Sequence, residues 1–149
     1  MLVNMPQMNR VFIDTNVFLD YIQQRPEGWR ETEIIFFLSI HGDIELLVSD
    51  LTIANMRYVT RKDIPLEQFY AVMKGLRPYY TIVKVGGKAV DAAYDLEAKD
   101  FEDALQYYSA EQAEADCIVT RNLKDFDFPR AVEALEPKAF LEKYFPEEL

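Results

Sequence analysis

The chain has 149 residues, of which half are hydrophobic and 13% aromatic, and its formal net charge is −10. This amount of apolar material supports one domain, residues 1–149, with a sizeable core, and it argues against general disorder. The longest apolar run, residues 34–40, is far too short to cross a bilayer. The first residues lack a charged head followed by an apolar run, so residues 1–8 are predicted to be a loose tail rather than a cleaved signal peptide.

The chain contains one cysteine, Cys117, and one histidine, His41. A single cysteine cannot form an intrachain disulfide, and a cytoplasmic location is therefore expected. One cysteine and one histidine exclude a thiolate or imidazole zinc site and argue against a histidine-dependent catalytic triad. Cys117 lies in an apolar stretch and is predicted to be an inert core thiol. Chemistry must therefore come from carboxylates, amides, hydroxyls and basic side chains.

The first part of the chain predicts a strand followed by two helices. β-Branched and aromatic residues at 10–13 predict a buried strand that leads directly into Asp14. Thr15 or Asn16 can cap the helix that follows. Apolar spacing predicts a second helix over residues 31–41, which a glycine ends.

The middle of the chain repeats the strand–helix pattern. A strand is predicted over residues 44–48, and Ser49 or Asp50 caps the next helix. Pro65 suits the first position of a further helix. A third strand is predicted over residues 80–85, and two glycines separate it from another helix.

The last part of the chain adds two more strands. Asp100 is predicted to cap a long helix, and residues 117–120 form the fourth strand. Residues 122–129 are predicted to be a polar loop, and residues 131–135 a short edge strand. Pro137 opens a terminal helix.

The alternation predicts an α/β fold, a three-layer α/β/α sandwich around a central, mostly parallel sheet. In such sheets, functional residues gather at the carboxyl ends of the strands. Asp14 follows the first strand, and Asp125 lies in the loop after the fourth. Asp103 lies in the first turn of the helix that leads into the fourth strand. Right-handed crossovers would bring the three carboxylates to one edge, where a divalent metal would neutralise their charge.

Three segments carry these acids: Phe-Ile-Asp-Thr-Asn-Val at residues 12–17, Asp-Phe-Glu-Asp-Ala at 100–104, and Thr-Arg-Asn-Leu-Lys-Asp-Phe at 120–126. In order and spacing they resemble the PIN domain, a family of small metal-dependent ribonucleases that includes the toxins of VapC-like toxin–antitoxin pairs. The resemblance covers residues 9–145. It implies Mg²⁺ or Mn²⁺ as cofactor. It also implies three catalytic metal ligands: Asp14, Asp103 and Asp125.

Four polar side chains near these acids are candidates to support the ligands or contact substrate. Thr120 can bond a site carboxylate, and Arg121 can meet a substrate phosphate. Asn16 can hydrogen-bond a ligand carboxylate, and Asn122 can orient a ligand or a metal-bound water.

Other nearby acids are weaker candidates. Asp116 precedes the fourth strand, so it is predicted to be a turn residue at the far end of that strand. Asp100 and Glu102 flank Asp103 and are expected to be solvated.

The resemblance departs from the family pattern at the second acid. The family usually places a glutamate on the helix after the second strand, where this chain has Asn55. A neutral amide removes one ligand charge, although its oxygen can still coordinate a metal or hold a water. Asp50 lies more than one turn earlier, at the helix cap, and cannot simply substitute.

Two functions of different classes therefore stay open. The first is a metal-dependent endoribonuclease of PIN type, the toxin of a toxin–antitoxin pair. The second is a non-catalytic PIN-like binding module with a weakened metal site. A phosphatase or receiver-like domain is disfavoured because its paired acids and well-placed lysine are missing from the sequence.

The resemblance also implies an RNA substrate, a cognate antitoxin inserted into the acidic cleft, and a homodimer. The net charge of −10 suits a basic antitoxin segment and argues against broad nonspecific binding of nucleic acid. Local phosphate contacts can come from Arg57, Arg61 and Lys62, on and after the helix that carries Asn55, and from Arg121 and Lys124 beside the last acid.

Overall fold

A computed structural model describes residues 9–149, and the predicted tail at residues 1–8 lies outside the described residues. The strands are β1 (Arg10–Ile13), β2 (Glu45–Ser49), β3 (Thr81–Val83), β4 (Cys117–Val119) and β5 (Glu133–Leu135). The α-helices are α1 (Thr15–Gln23), α2 (Trp29–Ile40), α3 (Asp50–Thr60), α4 (Leu66–Leu76), α5 (Gly86–Leu96), α6 (Phe101–Gln112) and α7 (Pro137–Tyr144). Short 3₁₀ turns cover Arg77–Tyr79, Leu123–Phe126 and Pro146–Glu148.

The five strands form one sheet in the order β3-β2-β1-β4-β5, and every described pair is parallel. The central position of β1 is visible in its register, because Phe12 lies opposite Leu47 of β2 and Ile118 of β4. After β3 the chain returns to the other side of β1. The carboxyl ends of β1 and β4 therefore meet at the point where the strand order reverses, which is the usual ligand-binding position in such sheets.

Both faces of the sheet are covered, which confirms the predicted three-layer sandwich. Val11 and Ile13 point to one face, where they join apolar residues of α1, α2, α4 and α7. Phe12 points to the opposite face, where it packs with Tyr107 of α6. Burial on both faces explains why β1 is a continuous apolar run rather than an alternating one.

Several predicted boundaries are wrong. Helix α2 begins at Trp29, two residues before the predicted start, and Gly28 precedes it. Strand β3 is limited to Thr81–Val83, and it is an edge strand with exposed residues, so apolar alternation marks its ends poorly. The predicted polar loop at 122–129 contains a 3₁₀ turn, which the fully buried Phe126 anchors.

Cys117 lies on β4 and is fully buried. The prediction that Cys117 is a core residue is confirmed, and burial raises the pKa of its thiol to about 12, which disfavours the reactive thiolate. Among the described residues, no helix combines the length and apolarity that a membrane crossing requires.

Candidate metal centre

Strand β1 delivers Asp14 to the carboxyl edge of the sheet. Its backbone N–H donates to the carbonyl of Val119 on β4, at 3.3 Å. Its Oδ1 accepts the N–H of Val17 at 3.1 Å, so Asp14 is the N-cap of α1. The predicted caps, Thr15 and Asn16, are wrong, because the chain enters the helix one residue earlier.

Asp14 is a buried carboxyl group with only 2% of its surface exposed. The hydroxyl of Thr120 donates to its Oδ2. Burial raises the pKa of Asp14 to about 6, although the hydrogen bonds from Thr120 and Val17 and the positive charge of Arg121 all lower it. A carboxylate that pays this desolvation cost is stabilised by a nearby cation.

The N-terminus of α6 supplies two acids. Asp100 caps the helix, as predicted, by accepting the N–H of Asp103 at 2.9 Å. Asp103 is 8% exposed, and its Oδ2 has no hydrogen-bond partner within residues 9–149. Burial is the main reason that the pKa of Asp103 rises to about 7, and the charges of Asp100, Asp14 and Asp125 raise it further.

Asp125 reaches the same place from the other side. The 3₁₀ turn that follows β4 begins with the N–H of Asp125 donating to the carbonyl of Asn122, at 2.9 Å. One carboxylate oxygen each of Asp100, Asp103 and Asp125 then lies within 4.8 Å of the others. We call these three residues the acidic cluster.

The acidic cluster differs from the predicted set of Asp14, Asp103 and Asp125. Asp14 is close enough to raise the pKa of Asp103 but is not part of the 4.8 Å group. Asp100 was expected to be solvated, yet it is half-buried and belongs to the cluster. Asp100 was not predicted as a cluster member because its role as a helix cap already explained an acid at this position. Its spacing of three residues from Asp103 could have indicated the cluster, because it places both acids at the same helix end.

The donor set of the acidic cluster fits a hard divalent cation. Carboxylate oxygens are the ligands that Mg²⁺ prefers, and a few suffice because the ion keeps several waters. The Oδ2 of Asp103, which has no partner in the described part of the chain, is a buried acceptor that a cation would satisfy. Asp100, Asp103 and Asp125 could therefore hold such an ion, with Asp14 beside it.

An ion pair with one fully buried member lies near Asp14. Asp20, on α1, is fully buried, and its Oδ2 lies 2.7 Å from Nε of Arg121. The angles do not make this a hydrogen bond, so within the described chain both oxygens of Asp20 lack a hydrogen-bond partner. Arg25 lies 3.7 Å away on the other oxygen. The charge of Arg121, which the sequence assigned to a substrate phosphate, is therefore directed at Asp20.

Sequence reasoning missed Asp20. It lies one turn after Val17 on the inner face of α1, where both residues are buried. An acid on the apolar face of a helix was the signal that a buried partner existed.

A buried network of hydroxyl and amide groups holds α6 against α1 and α3. The side chain of Gln106 donates to Thr52 at 2.8 Å and to Thr15 at 3.2 Å, and it accepts from Ser49 at 2.7 Å. Ser49 also caps α3, as predicted. All four side chains are buried. The network fixes the helix that carries Asp103, and its contacts were not predicted because they join distant segments.

The three asparagines predicted to support the site lie at its periphery. Asn55 donates from Nδ2 to Glu102 at 2.8 Å, beside the acidic cluster. Asn16 accepts a long bond of 3.4 Å from Arg25, rather than contacting an acid. Asn122 donates its backbone N–H to the hydroxyl of Thr120 at 3.0 Å, which braces the turn between Asp14 and Asp125.

The family model of the PIN domain matches residues 10–124. A toxin–antitoxin complex from Klebsiella pneumoniae is similar in structure, with a TM-score of 0.64 and 20% identity over 85% of this chain and 97% of that one. VapBC2 from Rickettsia felis, bound to a DNA fragment from its promoter, gives 0.63 and 18% over 85% and 97%. FitAcB from Neisseria gonorrhoeae gives 0.62 and 18% over 86% and 98%.

At these identities the solved structures establish a shared fold. Comparison with curated protein sequences gave no significant match. The family match covers most of the chain and includes β1, β4 and α6, which carry Asp14, Thr120 and Asp103 to the site. The resemblance found in the sequence is thereby confirmed: the chain belongs to the PIN domain family.

Proposed function

We propose that the protein is a metal-dependent endoribonuclease of PIN type and the toxin of a toxin–antitoxin pair. Membership of the family and the fold shared with toxin–antitoxin complexes support this function. The observation that carries it is the acidic cluster at the switch point of the sheet, in which Asp103 keeps a buried oxygen that has no hydrogen-bond partner among residues 9–149.

The proposed reaction adds water across an RNA phosphodiester. The water oxygen bonds to phosphorus, the bond to the leaving ribose oxygen breaks, and that oxygen takes up a proton. Mg²⁺ or Mn²⁺, when bound, supplies an acidified water and offsets charge on the phosphate. Asp100, Asp103 and Asp125 would hold the ion. Thr120 and the N-terminus of α1 fix the orientation of Asp14 beside it.

The proposed partners follow from the same assignment. A cognate antitoxin would insert a basic segment towards the acidic cluster, to which the net charge of −10 is suited. We also propose a homodimer in the cytoplasm. Two of the similar solved structures are named as toxin–antitoxin or VapBC complexes, which supports the antitoxin partner.

RNA cleavage by the purified protein tests the proposal. With Mn²⁺ present, Asp14→Asn and Asp103→Asn are expected to reduce the rate of RNA cleavage about 100-fold or more, because each removes a carboxylate charge in or beside the acidic cluster. Asp91→Asn, an exposed acid on α5, is the matched control and should cleave like the wild type. Equal residual activity in wild type and both site variants would indicate a contaminating nuclease and end the enzyme assignment.

A non-catalytic binding module is the second candidate, and Asn55 favours it. Its neutral amide donates a hydrogen bond to Glu102, so it adds no charge to the proposed metal site. If Mn²⁺ does not shift the thermal unfolding of the wild type, the binding module is preferred.

Asn55→Glu is expected to tighten Mn²⁺ binding, because it adds a carboxylate beside Glu102. Unchanged affinity would mean that position 55 does not face the ion.

A further inference from the structure

The arginines predicted to contact phosphate already have partners within the chain. Arg121 faces the buried Asp20. Arg57 donates to the carbonyl of Ile64 at 2.9 Å. Arg61 lies over the ring of Tyr58, 3.9 Å from its centre. A nuclease of this kind also needs cations for the backbone of its substrate, and exposed lysines near the acidic cluster are candidates to supply them.

Two lysines beside the acidic cluster meet this need. Lys99 precedes Asp100, and Lys124 precedes Asp125. Both are exposed, and neither forms an ion pair within the described part of the chain. They line a cavity of about 290 Å³ between the α5–α6 connection and the segment after β4. Asp125 lines the same cavity, which therefore adjoins the acidic cluster.

The other walls of the cavity indicate what it would bind. Glu97, Asp125 and Asp127 together outweigh the charge of the two lysines, so an isolated phosphate would gain little there. Phe128, which is half-buried, and Ala98 add apolar surface on which a base can pack. The volume is near the lower end of small-molecule sites, ~300–1,000 Å³, and suits one nucleotide unit rather than a longer segment.

We propose that this cavity binds one nucleotide of single-stranded RNA next to the phosphate that is cleaved, with Lys99 and Lys124 contacting its backbone. The inference rests on the proposed ribonuclease function and locates a nucleotide subsite for its substrate. A base in a duplex is stacked and paired and cannot enter a cavity, whereas a base in a single strand can turn out of the stack. Lys99 and Lys124 are thus assigned to substrate binding, and the acidic cluster to the ion.

Binding is tested with a fluorescent single-stranded RNA of ten nucleotides, by anisotropy with Mg²⁺ in the cleavage-deficient Asp14→Asn background. Lys99→Ala combined with Lys124→Ala is expected to weaken binding about 10-fold or more. The slope of log affinity against log salt should become shallower by ~1.4, because two contacts to single-stranded phosphates are lost. Lys74→Ala, an exposed lysine on α4, is the control and should change affinity less than twofold.

A second variant separates the cavity from its charge. Ala98→Trp fills the cavity without altering charge, so it should weaken binding while the salt slope is unchanged. Inorganic phosphate and duplex RNA of the same length are expected to compete poorly. Effective competition by inorganic phosphate would show an anion site rather than a nucleotide site and would overturn the proposal, as would unchanged affinity in the double lysine variant.

The two proposals fail in different ways. If the lysine variants bind and cleave like their parents while Asp103→Asn abolishes cleavage, the nucleotide site is wrong and the ribonuclease stands. If the wild type cleaves no RNA but the lysine variants lose binding, the enzyme assignment fails alone. If the wild type binds no single-stranded RNA, the nucleotide site is overturned.

Discussion

Asp20 and Arg121 form a pair whose members differ in their access to water. Asp20 is fully buried, whereas 31% of the Arg121 side chain is exposed. Asp20→Asn is expected to destabilise the fold by only about 0–1 kcal/mol, because burial already raises the pKa of Asp20 and the partly exposed Arg121 can turn towards solvent. Arg121→Gln should cost more, about 3–5 kcal/mol, because it leaves a buried carboxylate without its nearest cation.

The double variant Asp20→Asn/Arg121→Gln should be more stable than the sum of the two losses predicts, because neither charge is then left alone. Urea unfolding followed by the fluorescence of Trp29 measures all four proteins. Trp29 is the only tryptophan, and it stacks on Tyr21 of the helix that carries Asp20. Losses that add within about 0.5 kcal/mol would show that the two residues are not coupled.

Single residues also show what sequence reasoning can locate. The structure brings Asp103 and Asp125 together, with Asp14 nearby, and each of these acids follows a local pattern: the first turn of a helix, the loop after a strand, or the end of an apolar strand. Asp20 and Asp100 were missed because their partners are distant in sequence or because a local role already explained them. Contacts that the fold creates between remote segments leave no spacing to detect.

At the level of elements, helix α6 is placed by the side chain of Gln106. Gln106→Ala is expected to cost about 2–3 kcal/mol, because it leaves the buried groups of Ser49 and Thr52 without a partner. Chemical unfolding measures the loss, and hydrogen exchange in the first turn of α6 should quicken. Gln112→Ala is the control on the same helix.

Gln112 is exposed and bonds only to nearby carbonyls, so its replacement should change stability by less than about 0.5 kcal/mol. Equal losses from the two variants would mean that the buried network does not hold the helix.

The entry to α2 depends on a glycine for steric reasons. A Cβ atom at Gly28 would lie 2.5 Å from Oδ2 of Asp20, whose position the ion pair restricts. Gly28→Ala is therefore expected to destabilise the fold by about 1–3 kcal/mol in thermal or urea unfolding. Gly75→Ala is the matched control, because a Cβ atom at that position inside α4 would have no neighbour within 4 Å.

Gly75→Ala should stabilise the protein by about 0.4–1 kcal/mol, since alanine favours the helix and restricts the unfolded chain. A stabilising Gly28→Ala would show that Asp20 moves aside freely, and the restricted ion pair would then be rejected.

Elements differ in how well the sequence predicted them. Strands β1, β2 and β4 were predicted within about a residue because burial on both faces makes them continuous apolar runs. The edge strand β3 and the turn at Leu123–Phe126 were not, because Phe126 is the one buried residue in these two described segments and it alone decides the turn.

At the level of the whole molecule, this acidic chain concentrates several carboxylates at the carboxyl ends of β1 and β4. Asp14 and Asp103 have pKa values raised to about 6 and about 7, chiefly by burial, above their ordinary value of 3.8. The folded state then holds more protons than the unfolded state between about pH 4 and pH 7. The free energy of unfolding of the metal-free protein should therefore fall as pH rises through this range.

Asp103→Asn removes the larger of these contributions. Without metal, the variant is expected to exceed the wild type in stability by roughly 2–4 kcal/mol at pH 7.5 and by much less at pH 5, because a shift of about three pKa units is relieved. Urea unfolding at both pH values measures the difference, and Asp91→Asn, exposed on α5, should show the same fall in stability with rising pH as the wild type.

Mn²⁺ should stabilise the wild type more at pH 7.5 than at pH 5, since it binds the deprotonated acids, and should stabilise Asp103→Asn little. Parallel pH dependence in metal-free wild type and Asp103→Asn would mean that the charge of Asp103 does not destabilise the folded protein. The assignment of the metal site to the acidic cluster would then be rejected.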